Sequence, residues 1–382
     1  MKERLRLFIL AGEPSGDRIA ADLVARLSGE VSLDLSGVGG DELTHHGLKS
    51  LYPMTDLSVM GVTDVLLNLP RLLWRLEQTA RAILARQPDV VVLVDAQDFS
   101  KLLAKRLRKR GYRGKLILYV APSVWARNPE RAARLKPLFD MVLAVLPFEP
   151  AIMEKLGGPP TFYVGHPALN ERLMTPIAAE AGPLILLPGS REGELRRHLP
   201  VLKAMVAELI ALPGVSEIVV PTLPRLKQRL ETEFQAWAVP VTVLDRREAR
   251  NELYGRALGA ICVSGTVTLE LALAHVPMLV IYALDNHQAR IFDRLGQPAV
   301  SLPNIILDRD VVPELVMPSL SAEAVLPLAG DLLGSKKARQ DQVDAFGELA
   351  DLMEAGRSPH GRQDPAERVL TLWRNQRPLI GE

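Results

Sequence analysis

The chain has 382 residues, 48% hydrophobic and 24% charged, with a formal net charge of +1 and a single cysteine, Cys262. At about 100–200 residues per domain, this length predicts two domains, each able to bury its own core. Near-neutral charge gives no global field for nucleic acid, and one cysteine excludes an internal disulfide framework or a cysteine-based metal site.

The apolar run at residues 7–11 is too short for a signal-peptide core and stops at Gly12-Glu13-Pro14. No stretch of about 18 apolar residues follows, so a reducing, cytoplasmic setting is expected. Short apolar runs then alternate with stretches of helical period. In the first half they lie at 5–11, 90–95, 115–121 and 141–147. In the second they lie at 184–187, 217–220, 241–244, 259–263 and 277–282. They are continuous rather than alternating, as strands buried on both faces of a parallel sheet require. Between the first two runs, Leu72, Leu73, Leu76, Ala80, Ile83 and Leu84 predict one apolar helix face. Strand–helix alternation with right-handed crossovers predicts doubly wound α/β sheets. Residues 175–183, rich in Ala, Pro and Gly, break the rhythm. The expected domains are therefore Rossmann-like units at 1–172 and 180–355, with a cleft between them. Asp364-Pro365-Ala366-Glu367 predicts the start of a last helix, about 364–378, with cap, first-turn proline and acid in place.

Ligands of such sheets sit beyond the carboxyl ends of the strands, so the strand-end strings matter most. The first strand runs into Ala11-Gly12-Glu13-Pro14-Ser15-Gly16-Asp17. Small residues there let the backbone approach a ligand, with helix amides behind it; the string also reads as an ordinary turn. It lacks the GxGxxG fingerprint, which argues against a nicotinamide dehydrogenase. Val94-Asp95-Ala96-Gln97-Asp98-Phe99 ends a buried strand. Burial at Asp95 would raise its pKa toward the range useful to a general base, whereas Asp98 suits a helix cap. Trp125, just past the run at 115–121, suits sugar stacking or core packing. His166, in Val164-Gly165-His166-Pro167, would orient a ligand or serve as a hydrogen-bonded structural histidine.

In the second half, Leu187-Pro188-Gly189-Ser190-Arg191 offers amides at Gly189 and Ser190 and a planar guanidinium suited to a diphosphate. Ser264-Gly265-Thr266 predicts a helix start near Gly265 whose amides aim at phosphate oxygens, although Ser264 also reads as a plain cap. Glu270, about one turn in, would reach ribose hydroxyls. Asn304 suits a sugar or phosphate partner and equally a turn.

Ten strings occur in order: AGEPSGD at 11–17, VGG at 38–40, VMGVTDVL at 59–66, VDAQDF at 94–99, YVAPSVWA at 119–126, LPFE at 146–149, VGHP at 164–167, LPGSR at 187–191, SGTVTLE at 264–270 and SLPNII at 301–306. In that order the chain resembles the lipid-A-disaccharide synthase family of glycosyltransferases. The resemblance implies a GT-B fold: two Rossmann-like doubly wound parallel-sheet domains facing across a cleft, with the last helix returning to the first. It implies inverting transfer, without metal or cofactor, from UDP-2,3-diacylglucosamine to 2,3-diacylglucosamine 1-phosphate. By the matched strings, Asp95 takes the place of the general base and Glu13 lies near the acceptor. The candidate substrate-binding residues are Ser15, Gly16, Trp125, His166, Gly189, Ser190, Arg191, Ser264, Gly265, Thr266, Glu270 and Asn304. The resemblance also implies a homodimer, no nucleic-acid partner, and a peripheral place on the inner face of the bacterial inner membrane. The chain departs from the family pattern at Arg127, at Ala283-Leu284-Asp285 and at Leu43. Competing readings are a related transferase with another acceptor, a UDP-sugar epimerase, and a non-catalytic sugar-nucleotide-binding paralogue.

Two segments suit a bilayer surface. Residues 57–73 carry Val59, Met60, Val62, Val65, Leu66, Leu67 and Leu69 with few charges. Residues 101–115 hold Lys101, Lys105, Arg106, Arg108, Lys109, Arg110, Arg113 and Lys115 and no acid. Apolar insertion with attraction to anionic lipid is the expected mode, set against a core loop and a solvated helix face.

Overall fold

The continuous apolar runs form the centres of two parallel sheets. The computed structural model describes residues 2–57, 62–171 and 178–375. The string at 59–66 and the breaker at 175–183 lie partly outside the described residues. The first sheet is built from β1 (Arg4–Ala11), α1 (Pro14–Glu30), β2 (Ser32–Val38), α2 (Asp41–His45), α3 (Val62–Arg86), β3 (Val90–Val94), α4 (Gln97–Lys109), β4 (Lys115–Tyr119), α5 (Arg131–Leu135), β5 (Met141–Ala144), α6 (Glu149–Lys155) and β6 (Thr161–Tyr163). Its order is β2-β1-β3-β4-β5-β6, with every pair parallel.

The second sheet follows from β7 (Gly182–Leu187), α7 (Glu192–Ile210), β8 (Val215–Pro221), α8 (Pro224–Phe234), β9 (Val241–Leu244), α9 (Arg247–Tyr254), β10 (Gly259–Cys262), α10 (Val267–Leu273), β11 (Met278–Ala283), α11 (Asn286–Arg294), α12 (Leu302–Leu307), β12 (Glu314–Met317), α13 (Ala322–Gly334) and α14 (Lys336–Ala355). Its order is β12-β11-β10-β7-β8-β9, again parallel throughout. The chain ends through the hairpin β13 (Gly356–Arg357) and β14 (His360–Gly361) and helix α15 (Pro365–Arg374). Met1–Pro167 with Met353–Glu382 forms one compact unit, and Ala168–Leu352 the other.

Each unit has its own core. In the first, Phe8, Leu10, Val91, Leu93, Leu116, Leu118 and Val142 of the strands pack on α3 and α4. In the second, Leu184, Leu186, Ile218, Ile261 and Leu279 pack on α7 and α13. Full burial of each such side chain contributes about 1.5–3 kcal/mol. Strands β2, β6 and β12 carry no continuous apolar run and are not expected from the sequence. They lie at sheet edges, where burial is mixed, as in Ser32–Val38. Asp364 accepts from the Ala366 and Glu367 amides and caps α15, which docks on α1 through the Arg26–Asp364 bond.

The apolar face expected on α3 needs correction. Leu76, Ala80 and Ile83 are buried, but Leu73 is 45% exposed and Leu69 41%. A buried clasp orients this part of the helix. Asp56 accepts from Arg71 and, at 2.8 Å, from Arg75. The Arg75 guanidinium lies 4.5 Å from the Tyr52 ring centroid and 4.2 Å from that of Trp74. A buried carboxylate with two arginine partners tolerates loss of neither partner cheaply. Among the described residues no helix is long and apolar enough to cross a membrane.

In the second unit, buried His198 ties α7 to β11. Its Nε2 accepts from the Ala283 amide at 2.9 Å, so Nδ1 carries the proton and donates to the Glu194 carbonyl at 2.8 Å. Burial holds this imidazole below its ordinary pKa of 6.5. The folded protein therefore favours the neutral ring. The contribution is complete above the unfolded value and is lost as pH falls below it toward the folded value. Urea unfolding between about pH 7.5 and about pH 5 should show a smaller loss of stability in His198→Gln than in the parent.

Candidate functional site

Each sheet reverses its winding at one point. In the first unit β1 and β3 are neighbours in space but not in sequence, and in the second β7 and β10 are. Connections diverge to opposite faces there and leave a crevice beyond the strand ends, which is where α/β sheets hold ligands. β1 ends in the 11–17 string and β3 in the 94–99 string. β7 ends in the 187–191 string and β10 in the 264–270 string. Four of the strings picked out above thus fall at the two reversal points.

At the first reversal the two strings touch. A Cβ on Gly12 would lie 2.8 Å from the Ala96 Cβ, so only glycine fits. Gly16 is buried in the first turn of α1, where an added Cβ would lie at ordinary contact distance, 3.8 Å, from the Asp95 Cβ. Asp95 and Ala96 are consecutive left-handed residues, at φ +54° and +44°. Asp95 is half-buried, and that burial pushes its carboxyl above the ordinary carboxylate value while the Ala96 amide pulls it partly back. The direction is the one a general base needs. Glu13 stands at the N-cap of α1 with an extended backbone, and Ser15, in the first turn, is exposed.

Asp98 is not the cap expected of it. Ala96 occupies that position, and Asp98 pairs at 3.0 Å with Arg131. The reason is the left-handed turn, which starts the helix early. Trp125 is half-buried and meets Phe148 edge-on at 5.4 Å. Beside it Glu149, buried at the first position of α6, accepts from the Val145 and Leu146 amides at 3.2 and 3.0 Å. Burial pushes this carboxyl up to about 8, against the pull of those amides and of the Trp125 indole. His166 is half-buried after Gly165, against which the Arg362 guanidinium packs.

At the second reversal several expected donors are already committed. The Ser190 and Arg191 amides both donate to Glu194 Oε2, at 3.0 and 3.2 Å. The Ser190 amide expected to serve a ligand is therefore satisfied inside the loop. Gly189, at φ +107°, leaves room for that carboxylate; a Cβ there would lie 2.5 Å from Glu194 Oε2. The Ser190 carbonyl accepts from Arg225 at 3.0 Å. Arg191 keeps its guanidinium in solvent, 64% exposed, with one contact of 3.3 Å to Glu194 Oε1.

Ser264 Oγ donates to the Val300 carbonyl at 2.7 Å, so its proton is spent inside the fold, and Thr266 rather than Ser264 holds the N-cap position of the next helix. Gly265 and Thr266 are exposed, with open space in front of Gly265; helix α10 begins just after, at Val267. Glu270 lies in its first turn, 3.5 Å from Arg250. Asn304 requires the clearest correction. It is buried in α12, not in a turn, and donates to Val312 O and Glu314 Oε1 while accepting from the Val311 and Val312 amides. Its whole amide capacity is spent inside the fold. Asp17, which accepts from the Gly40 and Glu42 amides, and Glu194 were not expected as loop organisers. Glu194, three residues after the N-cap Arg191, supplies only the carboxylate half of a capping box, accepting from the N-cap amide, because arginine has no acceptor for the other half; Asp17 has no local signal.

The family model described as Lipid-A-disaccharide synthetase matches residues 7–359. The chain is 39% identical over 381 residues to a lipid-A-disaccharide synthase of Rhodospirillum centenum, covering 96% of this chain and 94% of that one. It is 37% identical over 382 residues to one of Rhodopseudomonas palustris, covering 97% and 96%. Among solved structures it is similar in fold to the S. aureus MnaA–UDP co-structure, with TM-score 0.62, 14% identity and 97% and 95% of the two chains covered. It is likewise similar to UDP-GlcNAc 2-epimerase from Neisseria meningitidis bound to UDP-GlcNAc, with TM-score 0.60, 11% identity and 92% and 99% covered. Those two likenesses concern the two-sheet, GT-B-like architecture alone. The match over nearly the whole length places the chain in the lipid-A-disaccharide synthetase family: it is a glycosyltransferase of lipid A synthesis.

Proposed function

We propose that the chain joins UDP-2,3-diacylglucosamine to 2,3-diacylglucosamine 1-phosphate, with inversion, giving the β-1′,6-linked disaccharide 1-phosphate and UDP. The observation that carries the reading is the half-buried Asp95 carboxyl at the first reversal point, raised in pKa and set against the N-terminus of α1. Asp95 takes the proton of the acceptor 6-hydroxyl as that oxygen bonds to the donor anomeric carbon. The bond from that carbon to the diphosphate oxygen breaks, and UDP leaves with both electrons. Glu13, Ser15, Gly16, Trp125 and His166 serve the acceptor in the first unit. In the second, the exposed Arg191 guanidinium meets the departing diphosphate, Gly265 and Thr266 leave it room, and Glu270 accepts from ribose hydroxyls. A cation aimed at charge that develops only as the bond breaks lowers the barrier without holding the ground state too tightly.

We also propose peripheral contact with the inner face of the inner membrane. Trp74 of α3 is 57% exposed and Leu102 of α4 51%, with Leu69 and Leu73 also exposed on α3. Lys105 and Lys109 of α4 are exposed. The basic segment is less charged than its composition suggests: Glu77 pairs with Arg106 and Arg110, and Asp140 with Arg108 and Lys115. Burial of aromatic and leucine side chains therefore supplies most of the attraction, with lysine adding a salt-dependent part.

Purified protein incubated with both sugars should yield disaccharide by mass and UDP in equal amount. Asp95→Asn should lower kcat about 10²–10⁴-fold while UDP affinity by calorimetry stays within about twofold. Because only the ionised base works and its pKa is raised, kcat/KM should climb with pH through a midpoint above the ordinary carboxylate range. Arg191→Ala should raise the donor KM and lower kcat, with Arg191→Lys recovering part of the loss, in steady-state assays of UDP release. Leu69→Gln/Leu73→Gln/Trp74→Ser should reduce sedimentation with anionic phosphatidylglycerol vesicles at constant unfolding temperature; unchanged sedimentation would remove this face from the membrane reading.

A further inference from the structure

The Asp95 turn is strained on both flanks and tied down by two side chains. Asp95 and Ala96 are left-handed, and so is Val120, at φ +76°, at the end of the neighbouring strand β4. A β-branched residue in that region is a conformational outlier, and such residues persist only where their surroundings over-determine them, at about 1–3 kcal/mol each. The surroundings here are specific. The Asp95 amide donates to the Tyr119 carbonyl at 2.9 Å, and the Val120 amide to Leu143 at 2.9 Å. The fully buried Ser100 hydroxyl donates to the Asp95 carbonyl at 2.9 Å. The Gln97 side-chain amide donates to the Val120 carbonyl at 3.1 Å. One side chain thus fixes the peptide after Asp95, and the other couples that turn to the strained turn beside it.

We propose that Ser100 and Gln97 are positioning residues that lock the Asp95–Ala96 turn in its left-handed form and so aim the Asp95 carboxylate at the acceptor hydroxyl. The inference rests on the reading of Asp95 as the base. Neither residue touches substrate in this account; each acts through the backbone. Ionisable groups stand on each neighbouring element. On α1, Asp17 is turned onto the Gly40 and Glu42 amides and Glu13 holds the N-cap position; on α4, Asp98 is paired with Arg131; on β4, Tyr119 is a buried phenol. Loosening the turn admits water to the Asp95 carboxyl and returns its ionisation toward the ordinary value.

The test uses the full chain with both sugar substrates and follows UDP release. Gln97→Met keeps length and removes both donors; Ser100→Ala removes the buried hydroxyl; Asp95→Asn is run alongside. Misaiming a reacting group by about an ångström costs on the order of 10²-fold, so kcat should fall about tenfold or more in Gln97→Met, with the donor KM within about twofold. The acid limb of its kcat/KM profile should move to lower pH. A purely structural role would lower the unfolding temperature and leave that limb in place. Gln97→Met with kcat within about twofold of the parent and an unmoved acid limb would overturn the proposal. If Ser100→Ala does not fold, Gln97→Met decides alone. An active Asp95→Asn sinks the reading of the base itself, whereas an inactive one beside a fully active Gln97→Met sinks only the positioning role.

Discussion

In a parallel sheet every connection crosses from the end of one strand to the start of the next, and the crossover is right-handed. Helices therefore cover one face on one side of the first strand and the opposite face on the other. Where the winding reverses, no helix closes the strand ends, and polar backbone is left facing outward. Both sheets obey this constraint, at β1/β3 and at β7/β10. The strings after β1, β3, β7 and β10 lie at these two points. Asp95 owes its raised pKa to the same geometry: it leaves a strand buried on both faces and comes to rest half-buried at its end.

Carboxylates shape the loops around these points more than they meet ligands. Asp17 gathers the amides that open α2, Glu194 those of the Ser190–Arg191 turn, and Glu314 those of Val300 and Ser301 together with Asn304. Hydrogen bonds to an ionised acceptor are worth about 1.5–3 kcal/mol each. Loops pinned in this way offer a ligand fixed geometry rather than a search through conformers. The cost is that amides which look available in the sequence are taken. Arg191, by contrast, keeps its guanidinium turned to solvent at the second reversal.

The first unit combines this rigid site with a face of different character. Arg75, held by Asp56 and sandwiched by Tyr52 and Trp74, fixes a helix whose apolar residues point both ways. Leu76, Ala80 and Ile83 enter the core while Leu69, Leu73 and Trp74 remain outside. For an enzyme of lipid A synthesis, a firmly anchored helix with exposed leucine and tryptophan suits a lipid surface.

Much of this was legible in the sequence. Continuous apolar runs identified the central strands because burial on both faces forces every position to be apolar; the edge strands β2, β6 and β12 escaped because one-sided burial leaves no such run. The strings after β1, β3, β7 and β10 were recognisable because small residues beside an acid or an arginine at a strand end are chemically unusual. The sequence by itself therefore determined the fold class, the family and the chemical inventory, all of which depend on local pattern and residue order. Only the tertiary structure decided which members of that inventory are spent. Asn304, the Ser264 hydroxyl proton and the Ser190 amide are consumed by partners that the sequence does not pair with them, and Leu73 faces solvent although the helical period puts it inside. Hydrogen-bond saturation and the direction of a helix face are properties of neighbours brought close by folding, and no local window contains them.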